Sequence, residues 1–366
     1  MDSNTCGISA EELFIANLLR QNNDSVKLNN FLTVSKELKE RSSYSYGYPL
    51  WLTIDPTNIC SLKCPFCPNG FGNIRRPKGM MAMDDFRRII DILGPYLLHI
   101  DMQNWGEPLF HKDIYKMISY AKKFDIHITM STNFQNFDER GAEEIIGSGL
   151  DRLIVSIDGA SQETYEKYRR GGDFGKAIGN IRTLVNKKKE LKSLLPMVIW
   201  QFLVFRHNEH EIGTAERMAG DLGVDRFGIS RAFIAADSPA YRDWVPLDKR
   251  FSKYDMSRAS VTASGSDRLL KQPPVTNCNW LWQGIAVNWD TSVSPCCGVY
   301  LEEEDFGNIF ACGTFRELWN NTDYRSARKF MLERESNAEN MSNTCVRCSK
   351  IGQINLDLNP DFWAKA

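Results

Sequence analysis

The chain has 366 residues, of which 42% are hydrophobic, and its formal net charge is -1. This length allows one large domain and a smaller one, while the near-neutral charge gives no reason to expect nucleic acid or an anionic membrane as a partner. No apolar run approaches the length of a membrane span and the N-terminus has no signal-peptide pattern, so we expect a cytoplasmic protein. The ten cysteines indicate metal or redox chemistry, because disulfides are rare in a reducing compartment.

Residues 1–48 have the amphipathic pattern of helices. Apolar residues recur at helical spacing around Leu13 and Leu18, and again at Phe31 and Val34. We interpret this segment as a helical extension that packs on the main domain, because a recognition domain for a peptide would need more residues and some strands.

Residues 49–234 alternate between short apolar strands and longer amphipathic helices. The predicted strands are 51–55, 98–103, 126–131, 153–157, 197–205 and 227–230. The predicted helices are 84–93, 113–124, 139–147, 162–168 running on to 175–191, and 209–222. This repetition predicts an α/β fold of parallel strands with crossover helices, in which site residues collect at the carboxyl ends of the strands.

Three cysteines follow the first predicted strand. Cys60, Cys64 and Cys67 have the spacing C-x-x-x-C-x-x-C, with no histidine between them. Cysteine thiolates are the usual ligands of a four-iron cluster, so three of them would leave one iron open. The alternatives are a structural zinc site, which normally takes four ligands in C-x-x-C pairs, or three thiols that lie close together by chance.

This cysteine loop resembles the signature of radical S-adenosylmethionine (radical SAM) enzymes. The resemblance implies a partial (β/α)6 TIM-like barrel and a [4Fe–4S] cluster whose open iron binds the amino and carboxylate groups of S-adenosylmethionine. In that family one electron, from a reduced flavodoxin or ferredoxin-type donor, passes through the cluster and cleaves the cofactor to a 5′-deoxyadenosyl radical. That radical takes a hydrogen atom from an unreactive C–H bond of the substrate.

The segment Trp105-Gly106-Glu107-Pro108, after the second predicted strand, is similar to the G-G-E-P element of the same family. The resemblance implies that the backbone of Gly106 and the carboxylate of Glu107 meet the methionine ammonium group, which needs several acceptors. Trp105 stands where the family has its first glycine. Taken alone, these four residues form a turn that many proteins contain.

Further residues are implied to contact S-adenosylmethionine. Phe66 is expected to lie against the adenine, and Arg170 is expected to hold the methionine carboxylate as a charge-assisted pair. Polar residues at the ends of the third and fourth predicted strands suit the ribose hydroxyls; they are Ser131, Asn133, Ser156 and Asp158. For each of these residues the alternative is a solvated loop position.

Six cysteines lie beyond residues 235–275, a segment that we interpret as a linker or lid. Residues 286–296 have the alternating pattern of a β-hairpin, which can bring Cys278 and Cys296 to one site. Cys345 and Cys348 supply a local pair of thiols. The four predicted ligands are Cys278, Cys296, Cys345 and Cys348. They predict a second iron–sulfur cluster, with a zinc ribbon as the alternative.

Residues 276–366 resemble the small α+β auxiliary domains of radical SAM enzymes, which are called SPASM in the long form and twitch in the short form. No cysteine follows Cys348, which favours the short form with one auxiliary [4Fe–4S] cluster. Cys297 could replace Cys296 as a ligand, although neighbouring side chains of a strand point to opposite faces. We favour Cys296 because of its spacing from Cys278.

A cluster with four thiolate ligands has no open iron and is suited to passing electrons. We therefore predict a two-electron oxidation of a small polar substrate, in a layout that resembles the aminocyclitol dehydrogenases of aminoglycoside biosynthesis. One alternative is crosslinking, epimerisation or thioether formation in a ribosomally made peptide. Another is redox-neutral sugar epimerisation, in which Cys297 or Cys312 returns a hydrogen atom. Arg231 is a further candidate active-site residue, and the sequence identifies no general base.

Overall fold

The computed structural model describes residues 24–232, 234, 243–252, 260–261, 267–268, 278–311, 313–333 and 344–345. The predictions for residues 1–23, Cys312 and Cys348 therefore lie outside the described residues. Helix α1, Ser25–Glu40, lies within residues 1–48, the predicted helical extension. Asp24 caps this helix by accepting a hydrogen bond from the backbone N–H of Lys27 at 2.9 Å.

Strands and helices then alternate as the sequence predicts. The strands are β1 Trp51–Ile54, β2 His99–Asp101, β3 His127–Thr132, β4 Arg152–Ser156, β5 Met197–Val204 and β6 Arg226–Arg231. The helices between them are α2 Met83–Leu93, α3 Ile114–Ala121, α4 Glu139–Gly147, α5 Gln162–Tyr168, α6 Phe174–Glu190 and α7 Ile212–Leu222. Side chains of Asp138, Ser161 and Asp173 cap α4, α5 and α6.

The later part of the chain contributes shorter elements. They are β7 Ser260–Val261, β8 Asp267–Arg268, α8 Trp280–Gln283, β9 Gly284–Val287, β10 Val293–Ser294, α9 Phe315–Trp319 and α10 Thr322–Glu333. β7 and β8 pair with each other in a separate antiparallel sheet. None of the described helices is long and apolar enough to cross a membrane.

One sheet joins the early and late strands, in the order β10-β9-β1-β2-β3-β4-β5-β6. β1 to β6 are parallel neighbours in chain order, which confirms the predicted arrangement. β9 pairs in parallel with the other side of β1, with Trp51 opposite Gly284, and β10 returns antiparallel to β9. The predicted hairpin is therefore confirmed, and it extends the sheet of the first six strands.

The two faces of the sheet differ in chemistry. Leu52, Ile54 and Ile100 are fully buried in the main hydrophobic core together with residues of α2 and α3. The alternate positions point to the opposite, inner face, where β2 carries His99 and Asp101. The apolar face is thus covered by the crossover helices, and the inner face is left for polar side chains.

Candidate active site

The loop after β1 carries Cys60, Cys64 and Cys67 on a tightly folded path. The backbone N–H of Leu62 donates to Sγ of Cys60 at 3.4 Å, and the N–H of Cys67 donates to the carbonyl of Cys64 at 3.2 Å. Gly70 packs on this path so closely that a Cβ there would lie 2.5 Å from the backbone nitrogen of Cys64. The three predicted ligands are therefore held by one compact loop.

Burial dominates the chemistry of these thiols. Cys64 is buried, and all three cysteines belong to a hydrophobic cluster with Leu62 and Phe66. Burial raises the pKa of the Cys64 thiol to about 12, although Arg169 lowers it, and Cys67 and Cys60 raise it further. A bound metal holds a coordinating thiol deprotonated despite such surroundings. The loop therefore fits a positively charged inorganic group better than it fits three free thiolates.

In the described part of the chain no three His, Cys, Asp or Glu side chains gather around a single metal ion. A [4Fe–4S] cluster places a different demand on its ligands, because each thiolate binds its own iron. Cys60, Cys64 and Cys67 lie on one loop and influence one another's pKa, and their role as the three ligands stays a prediction.

Gly106 presses directly against the cysteine loop. A Cβ at this position would lie 1.7 Å from the carbonyl oxygen of Thr57, so no side chain fits there. The N–H of Gly106 donates to Oδ1 of Asp55 at 3.4 Å, and the N–H of Glu107 donates to the carbonyl of Ile59 at 2.8 Å. The turn after β2 and the loop after β1 are thus one packed unit, with bare backbone at the predicted cofactor position.

Glu107 is buried and joins the ends of β2 and β3. Its Oε1 accepts hydrogen bonds from Thr132 Oγ1 at 2.6 Å and from the N–H of Leu109 at 3.1 Å, and its Oε2 accepts from the N–H of Asn133 at 2.7 Å. Burial raises the pKa of this carboxyl, while these hydrogen bonds lower it. A carboxylate has further lone pairs, so the contact with the methionine ammonium stays a prediction.

The ends of β3 and β4 meet beside the cysteine loop. Nδ2 of Asn133 donates to Sγ of Cys60 at 3.6 Å. The hydroxyl oxygens of Ser131 and Ser156 lie 3.3 Å apart. The structure therefore brings these three predicted polar residues together at the carboxyl ends of β3 and β4, next to Cys60.

The fourth polar residue, Asp158, is already paired within the protein. Its Oδ2 accepts a hydrogen bond from Nε of Arg169 at 2.6 Å, and its Oδ1 accepts from the N–H of Leu203 at 2.7 Å. Arg169 also affects the pKa of Cys64, whereas Arg170 lines an open cavity outside the cysteine loop. Sequence reasoning missed Arg169, because adjacent arginines after α5 carry no signal for which one turns inward.

Phe66 lies in an aromatic cluster at the cysteine loop. The centroid of its ring is 6.3 Å from those of Tyr168 and Phe205, and 5.1 Å from that of Trp244. Only 9% of Phe66 is exposed. This environment is apolar, as an adenine-binding surface requires, and the contact itself stays a prediction.

The described C-terminal thiols divide into two environments. Burial raises the pKa of Cys296 far above its usual range, and Cys297, Cys345 and Cys278 add to this effect. Burial raises the pKa of Cys297 to about 12, and its largest electrostatic neighbour is Asp101 on β2. Cys278 also raises the pKa of Cys297, so the choice of Cys296 as the partner of Cys278 and Cys345 stays a prediction.

Trp105 and Arg231 have contacts that the sequence did not indicate. The indole N–H of Trp105 donates to the carbonyl of Val299 at 3.1 Å, and its ring packs edge-on against Tyr300. Trp105, which stands where the family has its first glycine, thus connects the turn after β2 with the C-terminal cysteine loop. Arg231 is exposed at the end of β6, where its Nε donates to the carbonyl of Arg250 at 3.1 Å.

Comparison with known proteins identifies both parts of the chain. The model of the radical SAM superfamily matches residues 54–201, and the model of SPASM, an iron–sulfur cluster-binding domain, matches residues 278–349. The chain is 23% identical over 306 residues to the AdoMet-dependent heme synthase of Methanosarcina barkeri, which covers 75% of this chain and 83% of that protein. It is 22% identical over 199 residues to the PqqA peptide cyclase of Bradyrhizobium diazoefficiens, covering 52% of this chain and 49% of the cyclase.

The fold is similar to that of SuiB from Streptococcus suis. The structure of SuiB bound to S-adenosylmethionine aligns with a TM-score of 0.61 and 15% identity over 92% of this chain and 82% of SuiB. At this identity the likeness shows the fold alone. With the two domain matches and the cysteine loops above, it follows that the chain carries a radical SAM domain and a C-terminal SPASM domain, whose cofactors are S-adenosylmethionine and two [4Fe–4S] clusters.

Proposed function

We propose that this chain is a radical SAM enzyme that oxidatively modifies a ribosomally made peptide, for example by forming a crosslink. The observation that carries the proposal is the sequence similarity to PqqA peptide cyclase, of which the chain spans about half. A structure of SuiB with its precursor peptide SuiA, aligned over 82% of this chain with a TM-score of 0.56, has the same fold. This substrate class replaces the small polar molecule as our first choice.

The edge of the sheet offers a place for an extended peptide. β6 is the last strand of the sheet, and its residues are half-buried or exposed, including Ile229 with 45% exposure. An edge strand has backbone groups that can pair with another chain. We propose that the peptide enters from this side and reaches the carboxyl ends of β1 to β4.

When bound, S-adenosylmethionine and its cluster supply a radical that removes a hydrogen atom from an unreactive C–H bond. Cys60, Cys64 and Cys67 would hold that cluster. Gly106 and Glu107 would meet the methionine ammonium. The other proposed contacts are Phe66 for the adenine and Ser131, Asn133 and Ser156 for the ribose. The inward-facing Arg169 replaces Arg170 as the proposed partner of the carboxylate, because Arg170 lines the outer cavity and Asp158 holds Arg169.

Cys278, Cys296, Cys345 and Cys348 would hold the second cluster, which is proposed to accept an electron from the substrate. The first cluster needs an electron donor, for which a reduced flavodoxin or ferredoxin fits. Lys63 and Arg170 line a cavity of about 380 Å³ on the outer side of the first cysteine loop. These cations would favour contact with such an acidic donor.

A small polar substrate is the second candidate, with dehydrogenation as the reaction. The inner face of the sheet favours this substrate, because His99 and Arg152 are buried polar residues there and Asp101 is half-buried. Such a surface suits hydroxyl and amino groups.

The test is an anaerobic incubation of the reconstituted, reduced protein with S-adenosylmethionine. One arm contains peptides encoded next to the gene, and another contains sugars and aminocyclitols. We expect 5′-deoxyadenosine that depends on the peptide, and a peptide product lighter by two hydrogens. A Cys64→Ala variant should form neither, and turnover with a sugar but no peptide would overturn the proposal.

A further inference from the structure

A line of three hydrogen-bonded side chains crosses the inner face of the sheet. Oδ1 of Asp101, at the carboxyl end of β2, lies 3.0 Å from Nε2 of His99. Nδ1 of His99 lies 3.1 Å from Nδ1 of His127, the residue that stands opposite it in β3. Trp51 completes the arrangement, because its indole N–H donates to Oδ2 of Asp101 at 2.7 Å.

The line runs away from the cysteine loops. Asp101 is the member nearest the strand ends: its side chain is 20% exposed, and it is the main electrostatic neighbour of Cys297. His99 is 4% exposed, and His127, at the start of β3, is half-buried. The line therefore connects the region between the two cysteine loops with the opposite end of the sheet.

The hydrogen bonds restrict the proton positions on both rings. If Asp101 is ionised, Nε2 of His99 donates to it, so Nδ1 of His99 must accept from Nδ1–H of His127. The two donors thus point toward Asp101, and Nε2 of His99 has no lone pair with which to take a proton from it. A proton that Asp101 gains from a substrate therefore stays on the carboxyl group, while the two rings hold that group in place.

Burial keeps the far ring neutral. It lowers the pKa of His127 to about 4, and His99 lowers it further. Asp151 raises this pKa, whereas Arg152 and Lys122 lower it. A neutral His127 can serve as the donor to Nδ1 of His99.

We propose that Asp101 is the base that takes a proton from the substrate, and that His99 and His127 are positioning residues that orient its carboxylate. The inference rests on the proposed oxidative function. In such an oxidation the substrate would lose two hydrogens. One would leave as an atom to the radical that S-adenosylmethionine supplies, the other would leave as the proton to Asp101, and the remaining electron would pass to the C-terminal cluster.

The test separates hydrogen abstraction from proton removal in the holoenzyme. With substrate deuterated at the reacting carbon, we expect Asp101→Asn to transfer deuterium into 5′-deoxyadenosine at no less than half the normal rate, while oxidised product falls about 100-fold. His127→Gln should lower product about 10-fold and change its pH profile. The exposed Asp91→Asn and the more distant His210→Gln serve as controls. A parallel loss of both signals, or undiminished product, would overturn the proposal.

A second measurement needs no substrate, so it distinguishes failure of the hydrogen-bonded arrangement around Asp101 from failure of the proposed function. Nitrogen NMR of the histidine-labelled holoenzyme should show His99 protonated on Nε2 and His127 protonated on Nδ1. In Asp101→Asn the preference at His99 should be lost. Protonation of both rings on Nε2 in the unmodified protein would refute this arrangement of donors, whereas absence of deuterium transfer from every peptide would refute only the peptide substrate.

Discussion

Gly106 shows how much of the site depends on a single residue. Its Cα approaches the carbonyl of Thr57 so closely that a methyl group would overlap that oxygen. This contact, rather than the conformational freedom of glycine, explains the need for glycine here. The W-G-E-P turn and the cysteine loop can meet only if this position has no side chain.

We predict that Gly106→Ala lowers the free energy of unfolding by about 3 kcal/mol or more, because the added carbon must displace backbone. It should also reduce the iron bound after reconstitution. Gly179→Ala is the matched control: its Cβ would meet no atom within 4 Å, and alanine within helix α6 should stabilise by roughly 0.5–1 kcal/mol. Chemical denaturation and iron analysis measure both effects, and equal behaviour of the two variants would contradict the prediction.

Individual residues were the least predictable part of the site. The sequence indicated which strand ends carry polar groups, and Ser131, Ser156 and Asn133 do meet there. It could not indicate that Arg169 pairs with Asp158, because the direction of a side chain after a helix depends on packing. His99 and Asp101 were also missed, since two polar residues in a short strand resemble a solvent-facing edge.

At the scale of elements, Arg76 links the loop after β1 to the C-terminal hairpin by hydrogen bonds and ion pairs, an arrangement that we call the Arg76 clamp. Its Nη1 donates to Asp290 at 2.8 Å and to Ser292 at 2.6 Å, and its Nη2 donates to Asp305 at 2.5 Å. The guanidinium side chain is only 3% exposed. The clamp therefore holds β9 and β10 against the segment that follows the first cysteine loop.

We predict that Arg76→Ala destabilises the protein by about 3–5 kcal/mol, because it leaves buried carboxylates without their counter-charge. The neighbouring Arg75 provides the control. It pairs with Glu303 at 3.4 Å on the surface, so Arg75→Ala should cost less than about 1 kcal/mol. Urea unfolding at neutral pH compares the two, and a similar loss in both variants would show that the clamp has no special role.

Elements were predicted well where a local pattern determines them. The six β/α units follow from hydrophobic periodicity. Asp138 and Ser161 cap two of the helices directly before their predicted first residues. The hairpin of β9 and β10 was also predicted. The pairing of β9 with β1 was not, because contacts between distant strands leave no trace in a short stretch of sequence.

That pairing determines how the whole molecule is held together. β9 lies beside β1 through four residue pairs, from Trp51–Gly284 to Ile54–Val287. Leu50 and Asp55, at either end of β1, add backbone hydrogen bonds to Gln283 and Val287. The C-terminal region is therefore built into the main sheet.

We predict that a cut in the connection between β7 and β8 leaves the two fragments associated. A protease site inserted between residues 262 and 266 would introduce this cut. The fragments should elute together from gel filtration and separate only in denaturant, because β9 remains hydrogen-bonded within the sheet. An uncut sample of the same variant is the control, and separation under native conditions would contradict the prediction.

The position of β9 also has a consequence for the order of events during synthesis. β1 and the first cysteine loop are synthesised before the strand that covers one side of β1, which lies at residues 284–287. Until that strand is made, this side of β1 stays uncovered, and Trp105 waits for its acceptor at Val299. The first cysteine loop can therefore reach its final surroundings only after synthesis has passed residue 299.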